Sequence, residues 1–320
     1  MRGARIKMQL SDGYYHLYNR AAGCPGDFPF GDVEREQLVR LVTDLARFYV
    51  IEPIDYVIMS NHFHLVVFAP GKPPSPTKTA ARYNAYYPFR APLRPTEPEC
   101  GRQAERMRDI SEFMKDLQQK FTCWYNRSRT GGRRRGTLWA ERFKSNLIEG
   151  QSGLWTLAKY VILNPWRAEM VEDPADYRWS SWGSWNGSGR HPFEKNYMRH
   201  IPKFIPCQTA DQKWNAKTLK RELRADLVRT MAGAAGLRGK ALLQAAKDAR
   251  DHDAPLLLRA DRRARYFVDG MVIGSKRFIR KVAVEHDKLK ERLDKEKLYP
   301  ALLPDGRSVL IYRKLRNIRT

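Results

Sequence analysis

Tyr56-Val-Ile-Met-Ser-Asn-His-Phe-His-Leu-Val-Val-Phe68 holds two apolar, β-branched runs on either side of the polar pair Ser60-Asn61. Short runs of this kind read as strands, and a connection this tight joins them as an antiparallel hairpin. Side chains two apart on a strand share a face, so His62 and His64 project together while Phe63 packs to the other side. Two adjacent imidazoles can bind a divalent cation, although two ligands are too few and a third must come from elsewhere. An H-x-H pair on a strand also occurs as surface or hydrogen-bonded core histidines.

Working outward, Tyr14-Tyr-His-Leu-Tyr-Asn-Arg20 reads as an aromatic-rich strand. Residues 32–48 carry Val33, Leu38, Leu41, Val42, Leu45 and Ala46 at helical spacing and predict an amphipathic helix. Prolines 73, 74, 76, 88, 92, 95 and 98 make about 71–101 read as a long loop or insertion. A long helix is expected over about 102–127, with Met107, Ile110, Met114, Leu117, Phe121 and Trp124 as its apolar seam. A strand over 138–148 and a short helix over 154–163, stopped by Asn164-Pro165, follow. Trp179, Trp182 and Trp185 lie in a Ser/Gly-rich stretch that reads as irregular. The expected organisation is a catalytic domain over 1–200 and a basic, mainly helical segment over 201–320.

The chain has 320 residues, with 59 Lys and Arg against 35 Asp and Glu, a net charge of +24. Such an excess attracts polyanions, nucleic acids above all. Residues 201–320 hold 29 of these cations and 14 of the acids, so the net +15 of that segment exceeds its share of the chain. Cys24, Cys100, Cys123 and Cys207 form no C-x-x-C pair, which argues against a zinc ribbon or a disulfide framework. No apolar run approaches a membrane span and no signal peptide is readable, so a cytoplasmic, nucleoid-associated protein without membrane contact is expected.

Tyr160-Val-Ile-Leu-Asn-Pro165 places a phenol and an amide four residues apart, one helical turn from each other. The amide oxygen of Asn164 can complete a metal site, and the phenol of Tyr160 can attack a phosphate held there. A tyrosine on a short amphipathic helix is also commonly core, and Asn before Pro commonly ends a helix. Arg133, Arg134 and Arg135 form a compact run suited to phosphates, while Lys144 and Lys159 are cations near the tyrosine in sequence; each also reads as a solvated charge. Trp139, Trp166, Trp179, Trp182 and Trp185 are candidates for stacking unpaired bases, or for the core.

Three stretches together carry a family resemblance: Tyr56 to Leu65, then Gly136-Thr-Leu-Trp-Ala-Glu-Arg-Phe-Lys-Ser145, then Tyr160-Val-Ile-Leu-Asn-Pro-Trp-Arg-Ala168. In order, spacing and residue type, residues 14–185 resemble the REP-associated tyrosine transposases of the single-tyrosine HUH transposase superfamily. The resemblance implies a ferredoxin-like α+β fold, an antiparallel sheet with the histidines on a central strand and the tyrosine on a helix. It also implies His62 and His64 as the metal pair, Asn164 as a further ligand and Tyr160 as the nucleophile. Ser60 stands where the family often has proline, at a turn position of little consequence.

The implied reaction is metal-dependent cleavage and rejoining of single-stranded or hairpin DNA through a 5′-phosphotyrosine, with Mg²⁺ or Mn²⁺, by a monomer or homodimer. A non-catalytic DNA-binding regulator and a nuclease that uses water as nucleophile are the alternatives.

Overall fold

The computed structural model describes residues 5–24, 26–128, 135–205, 213–234, 236, 240–241, 244, 267, 271–286, 299–302 and 308–312. The protein is a mixed α+β chain, as the motif pattern predicts. It forms two compact units, one of residues 1–53 and 58–145, the other of residues 54–57 and 146–320.

The chain up to residue 127 runs β1 (Gly13–Arg20), α1 (Asp32–Phe48), β2 (Glu52–Ile58), β3 (His62–Ala69), α2 (Pro76–Tyr86), α3 (Pro98–Arg108) and α4 (Ile110–Arg127). The β2–β3 hairpin closes through the Met59 N–H donating to the His62 carbonyl at 2.8 Å. β1 pairs antiparallel with the other edge of β3, so β3 is central. Residues 138–140 extend this sheet beside the end of β1: Ala22 N–H donates to Leu138 O and Ala140 N–H to Arg20 O.

One face of β3 is pinned by aromatics. The Phe63 ring lies 5.6 Å from that of Trp139, which in turn meets Phe30 and Phe121. Leu38, Val42, Leu45 and Phe48 of α1 and Phe113, Met114, Leu117 and Phe121 of α4 are buried, and the two helices pack together. The expected seam holds as far as Phe121; one turn on, Tyr125 takes the buried position and Trp124 is only half-buried.

The proline-rich stretch is not one long loop: residues 87–97 form a loop between two helices. Pro76 and Pro98 stand in the first turns of α2 and α3, where a missing N–H costs nothing and the fixed φ favours a helix. Ala80, Leu93 and Cys100 form a small core between them. The expected long helix is broken at Asp109, whose extended backbone ends α3 and whose carboxylate caps α4 at Ser111 N–H.

β4 (Lys144–Ile148) is followed by a π-helical turn at Gly150–Leu154, then α5 (Trp155–Ile162), α6 (Asn164–Arg167), α7 (Ser181–Gly187), α8 (Glu194–His200) and α9 (Ala216–Ala234). The Asn-Pro pair does not stop the helical path, because Pro165 sits in the first turn of α6. The tryptophan-rich stretch is likewise helical, with Ser180 capping α7 and Trp182 and Trp185 buried.

The C-terminal segment adds three strands to the helices expected there: β5 (Val272–Gly274), β6 (Tyr299–Leu302) and β7 (Ser308–Tyr312), with α10 (Lys276–Val284) after β5. β5 pairs parallel with β4 through Leu147–Val272 and Ile148–Ile273, and β7 lies antiparallel between β5 and β6. Residues beyond 200 are thus built into the same compact unit as α5. No described helix is long and apolar enough to cross a membrane.

Candidate functional site

The β1–β3 register places Tyr18 opposite His64 and Arg20 opposite His62. Paired residues share a sheet face, so His16, Tyr18, Arg20, His62 and His64 line one side, opposite Phe63 and its aromatic neighbours. The rings of His62 and His64 lie 5.1 Å apart, edge to face. His16 stacks on His64 at 4.9 Å, and Tyr18 stacks on both imidazoles.

Hydrogen bonds set how each imidazole can act. His62 Nδ1 is 2.7 Å from Asn61 Oδ1, which only accepts, so Nδ1 carries the proton and Nε2 the lone pair. His64 Nδ1 is 2.8 Å from His16 Nε2. Burial, then the charge of Arg20, pushes His62 down to about 4. Burial, then His16 and His62, holds His64 well below the usual histidine range. Both are therefore neutral near pH 7, the form in which imidazole binds a metal.

This donor set fits half of a divalent-cation site. Two neutral imidazole nitrogens on one face, with oxygen ligands completing the shell, suit Mn²⁺ slightly better than Mg²⁺ by softness. Among the described residues no group of three or more His, Cys, Asp or Glu side chains is disposed to hold an ion. The remaining ligands would have to be an amide, water or phosphate oxygens.

Tyr160 and Asn164 belong to the second unit. Asn164 Nδ2 donates to the Tyr160 carbonyl at 2.8 Å, which leaves its Oδ1 as an acceptor directed elsewhere. Tyr160 is 8% exposed and its ring lies 5.0 Å from that of Phe267. Arg167 donates to the same Tyr160 carbonyl, and its guanidinium stands 5.4 Å from the phenol ring centroid. The structure thus brings Tyr160 and Asn164 together, as it does His62 and His64.

The cations divide. Lys159 is 2% exposed and pairs with Asp226 at 2.7 Å. Asp226 also accepts from Trp155 Nε1 and Arg229. The charge of Lys159 is matched inside the second unit, which removes it from the set of DNA contacts. Lys144 is half-exposed, 4.0 Å from Glu141, and Arg135 is exposed. Arg133 and Arg134 lie outside the described residues. Trp139, Trp166, Trp182 and Trp185 are buried, so of the five tryptophans only Trp179 keeps partial exposure.

Sequence reasoning missed His16, Arg20 and Arg167. A signal existed for each: His16, Tyr18 and Arg20 alternate along one strand, and Arg167 is two helical turns after Tyr160.

No family model matches the chain, and no curated protein matches it. Among solved structures, one of a REP-associated tyrosine transposase bound to a REP hairpin is similar at 14% identity, covering 60% of this chain and 88% of that chain, with a TM-score of 0.38.

Proposed function

We propose that this chain cuts and rejoins DNA strands through a covalent phosphotyrosine at Tyr160, as a single-tyrosine HUH enzyme acting on single-stranded or hairpin DNA. The observation that carries this reading is the His62–His64 pair, two neutral imidazoles 5.1 Å apart on one sheet face with both Nδ1 atoms already engaged. The motif resemblance and the net charge of +24 support it.

In this reading His62 and His64, with the amide oxygen of Asn164, hold a divalent cation such as Mg²⁺ or Mn²⁺. When bound, the cation supplies Lewis-acid polarisation of the phosphate. The Tyr160 oxygen forms a bond to phosphorus and the bond from phosphorus to the 3′ oxygen breaks. The phenolic proton leaves to a base or to water, and the departing 3′ oxygen takes up a proton. The ester to Tyr160 keeps the energy of the broken bond, so a 3′ hydroxyl can reverse the step without ATP.

One observation favours a second reading. Tyr160 is 8% exposed and packed on Phe267, as a structural tyrosine would be, and water would then be the nucleophile. Incubating the full chain with a pool of labelled single-stranded oligonucleotides and Mn²⁺, then denaturing it, separates the two. A protein–DNA adduct that disappears with chelator and with Tyr160→Phe is expected. Cut DNA with no adduct would establish the water-attack reading instead.

A further inference from the structure

Arg20 closes β1, directly across the sheet from His62. Its backbone is fixed on both sides: its N–H donates to Asn19 Oδ1 at 2.9 Å, and its carbonyl accepts from Ala140 N–H at 3.0 Å. Asn19 is itself tied to the Glu141 carbonyl. The side chain, by contrast, is exposed, and among the described residues no carboxylate pairs with it.

What sets Arg20 apart is its place, at the end of a strand directly opposite His62. Arg20 shares the sheet face of His62 and His64, its backbone paired with that of His62. A cation on a fixed backbone beside the candidate metal pair, with no carboxylate on it among the described residues, makes a local positive field. A phosphodiester oxygen is the natural counterpart, because the planar guanidinium matches two oxygens of one phosphate.

We propose that Arg20 is a substrate-binding residue of the histidine site, gripping the non-bridging oxygens of the DNA phosphate that is cut. It would orient that phosphate against His62 and His64 and offset charge that builds on its oxygens as the bond to the 3′ oxygen breaks. This rests on the strand-cleavage reading above.

The test begins with the wild-type adduct on the single-stranded oligonucleotide pool, which locates the cut phosphate. Binding of that oligonucleotide is then measured with Mn²⁺, next to a copy carrying a neutral methylphosphonate at the cut position. Wild type should bind the neutral copy roughly tenfold to a hundredfold more weakly, the usual range for charge-assisted contacts. In Arg20→Gln that discrimination should shrink by about tenfold, with Arg20→Lys in between, while Mn²⁺ binding without DNA is retained. An Arg20→Gln protein that discriminates as wild type does would overturn the assignment, as would one that loses Mn²⁺ binding. Absence of any wild-type cleavage would fell the broader reading first, and the wild-type lane alone reveals which of the two has failed.

Discussion

His16 Nε2 and His64 Nδ1 are 2.8 Å apart across β1 and β3, with their rings stacked at 4.9 Å. One of the two nitrogens must donate and the other accept. If His64 Nδ1–H is the donor, the His64 lone pair sits on Nε2, the arrangement Asn61 already imposes on His62. His16 is fully buried, so no water competes for this bond. The expected consequence is that His16→Ala weakens Mn²⁺ binding roughly tenfold to a hundredfold, the range typical of lost outer-shell partners. His16→Gln, which keeps an acceptor, should recover part of it. Calorimetric titration reads this directly, and unchanged affinity in a folded His16→Ala protein would sink the idea.

Tyr160→Phe removes one hydroxyl from a ring already packed on Phe267. Folding and DNA binding should survive, with a stability change of at most about 1–2 kcal/mol. Adduct formation should vanish. Undiminished cutting by the Phe protein would pass the nucleophile's role to water.

What the sequence made legible follows from period and punctuation. The Ser60-Asn61 turn and the alternation around Phe63 put both histidines on one face, and the four-residue spacing put Asn164 against Tyr160. The helices of the proline-rich stretch were hidden because Pro76 and Pro98 break helices in the interior but start them at the first turn. Lys159 was illegible because its partner, Asp226, is 67 residues away. The contribution of β5 and β7 was hidden for the same reason: three- and five-residue strands acquire meaning only from the partners they pair with.

Asp226 holds the buried ammonium of Lys159, and its removal would strand that charge. Asp226→Ala should cost about 3–5 kcal/mol, the range for breaking a buried pair from one side. Combining it with Lys159→Met should restore much of the loss, since no charge then needs a partner. Denaturant midpoints of the three variants check this. A double variant no better than Asp226→Ala would mean that the indole of Trp155, which shares the carboxylate, dominates.

Asp55 is fully buried, and burial pushes its carboxyl up to about 7 despite bonds from Tyr56 N–H and Ser181. Its second oxygen has no hydrogen-bond partner among the described residues, and burial, then the charge of Asp55, disfavours ionisation of Tyr197. The folded state therefore holds the proton more tightly than the unfolded chain, whose carboxyl titrates near 3.8. Stability from this group is full below about pH 4, falls by about 1.4 kcal/mol per pH unit and levels off above about pH 7. His62 and His191 act oppositely, since burial lowers both, to about 4 and about 3, and each costs stability as pH falls below about 6.5. The difference between wild type and Asp55→Asn isolates the carboxyl: relative to wild type, the variant should gain about 4 kcal/mol from pH 4 to pH 7. A flat difference across that range would show that Asp55 titrates normally.

Truncation tests the packing role of the basic C-terminal segment but not the role of its charge. Ending the chain near residue 205 would remove Asp226 from Lys159, Arg224 from Asp173, Phe267 from Tyr160 and β5 from β4. The expected product is insoluble or lacks a cooperative transition, so its DNA affinity would say nothing about charge. Substitution of surface cations is the informative experiment. On α10, Ile279, Val282 and Ala283 are buried, whereas Lys276, Arg277, Arg280 and Lys281 are exposed and so can be changed without opening the core. If this face grips a DNA strand through phosphates, each contact releases condensed counterions. Replacing all four by Gln should then leave the fold intact and make the slope of log affinity against log salt shallower by up to about 3 for single-stranded DNA. Cleavage at saturating DNA should persist, because none of the four belongs to the histidine or tyrosine groups. Equal slopes for the quadruple variant and wild type would leave α10 with a packing role alone.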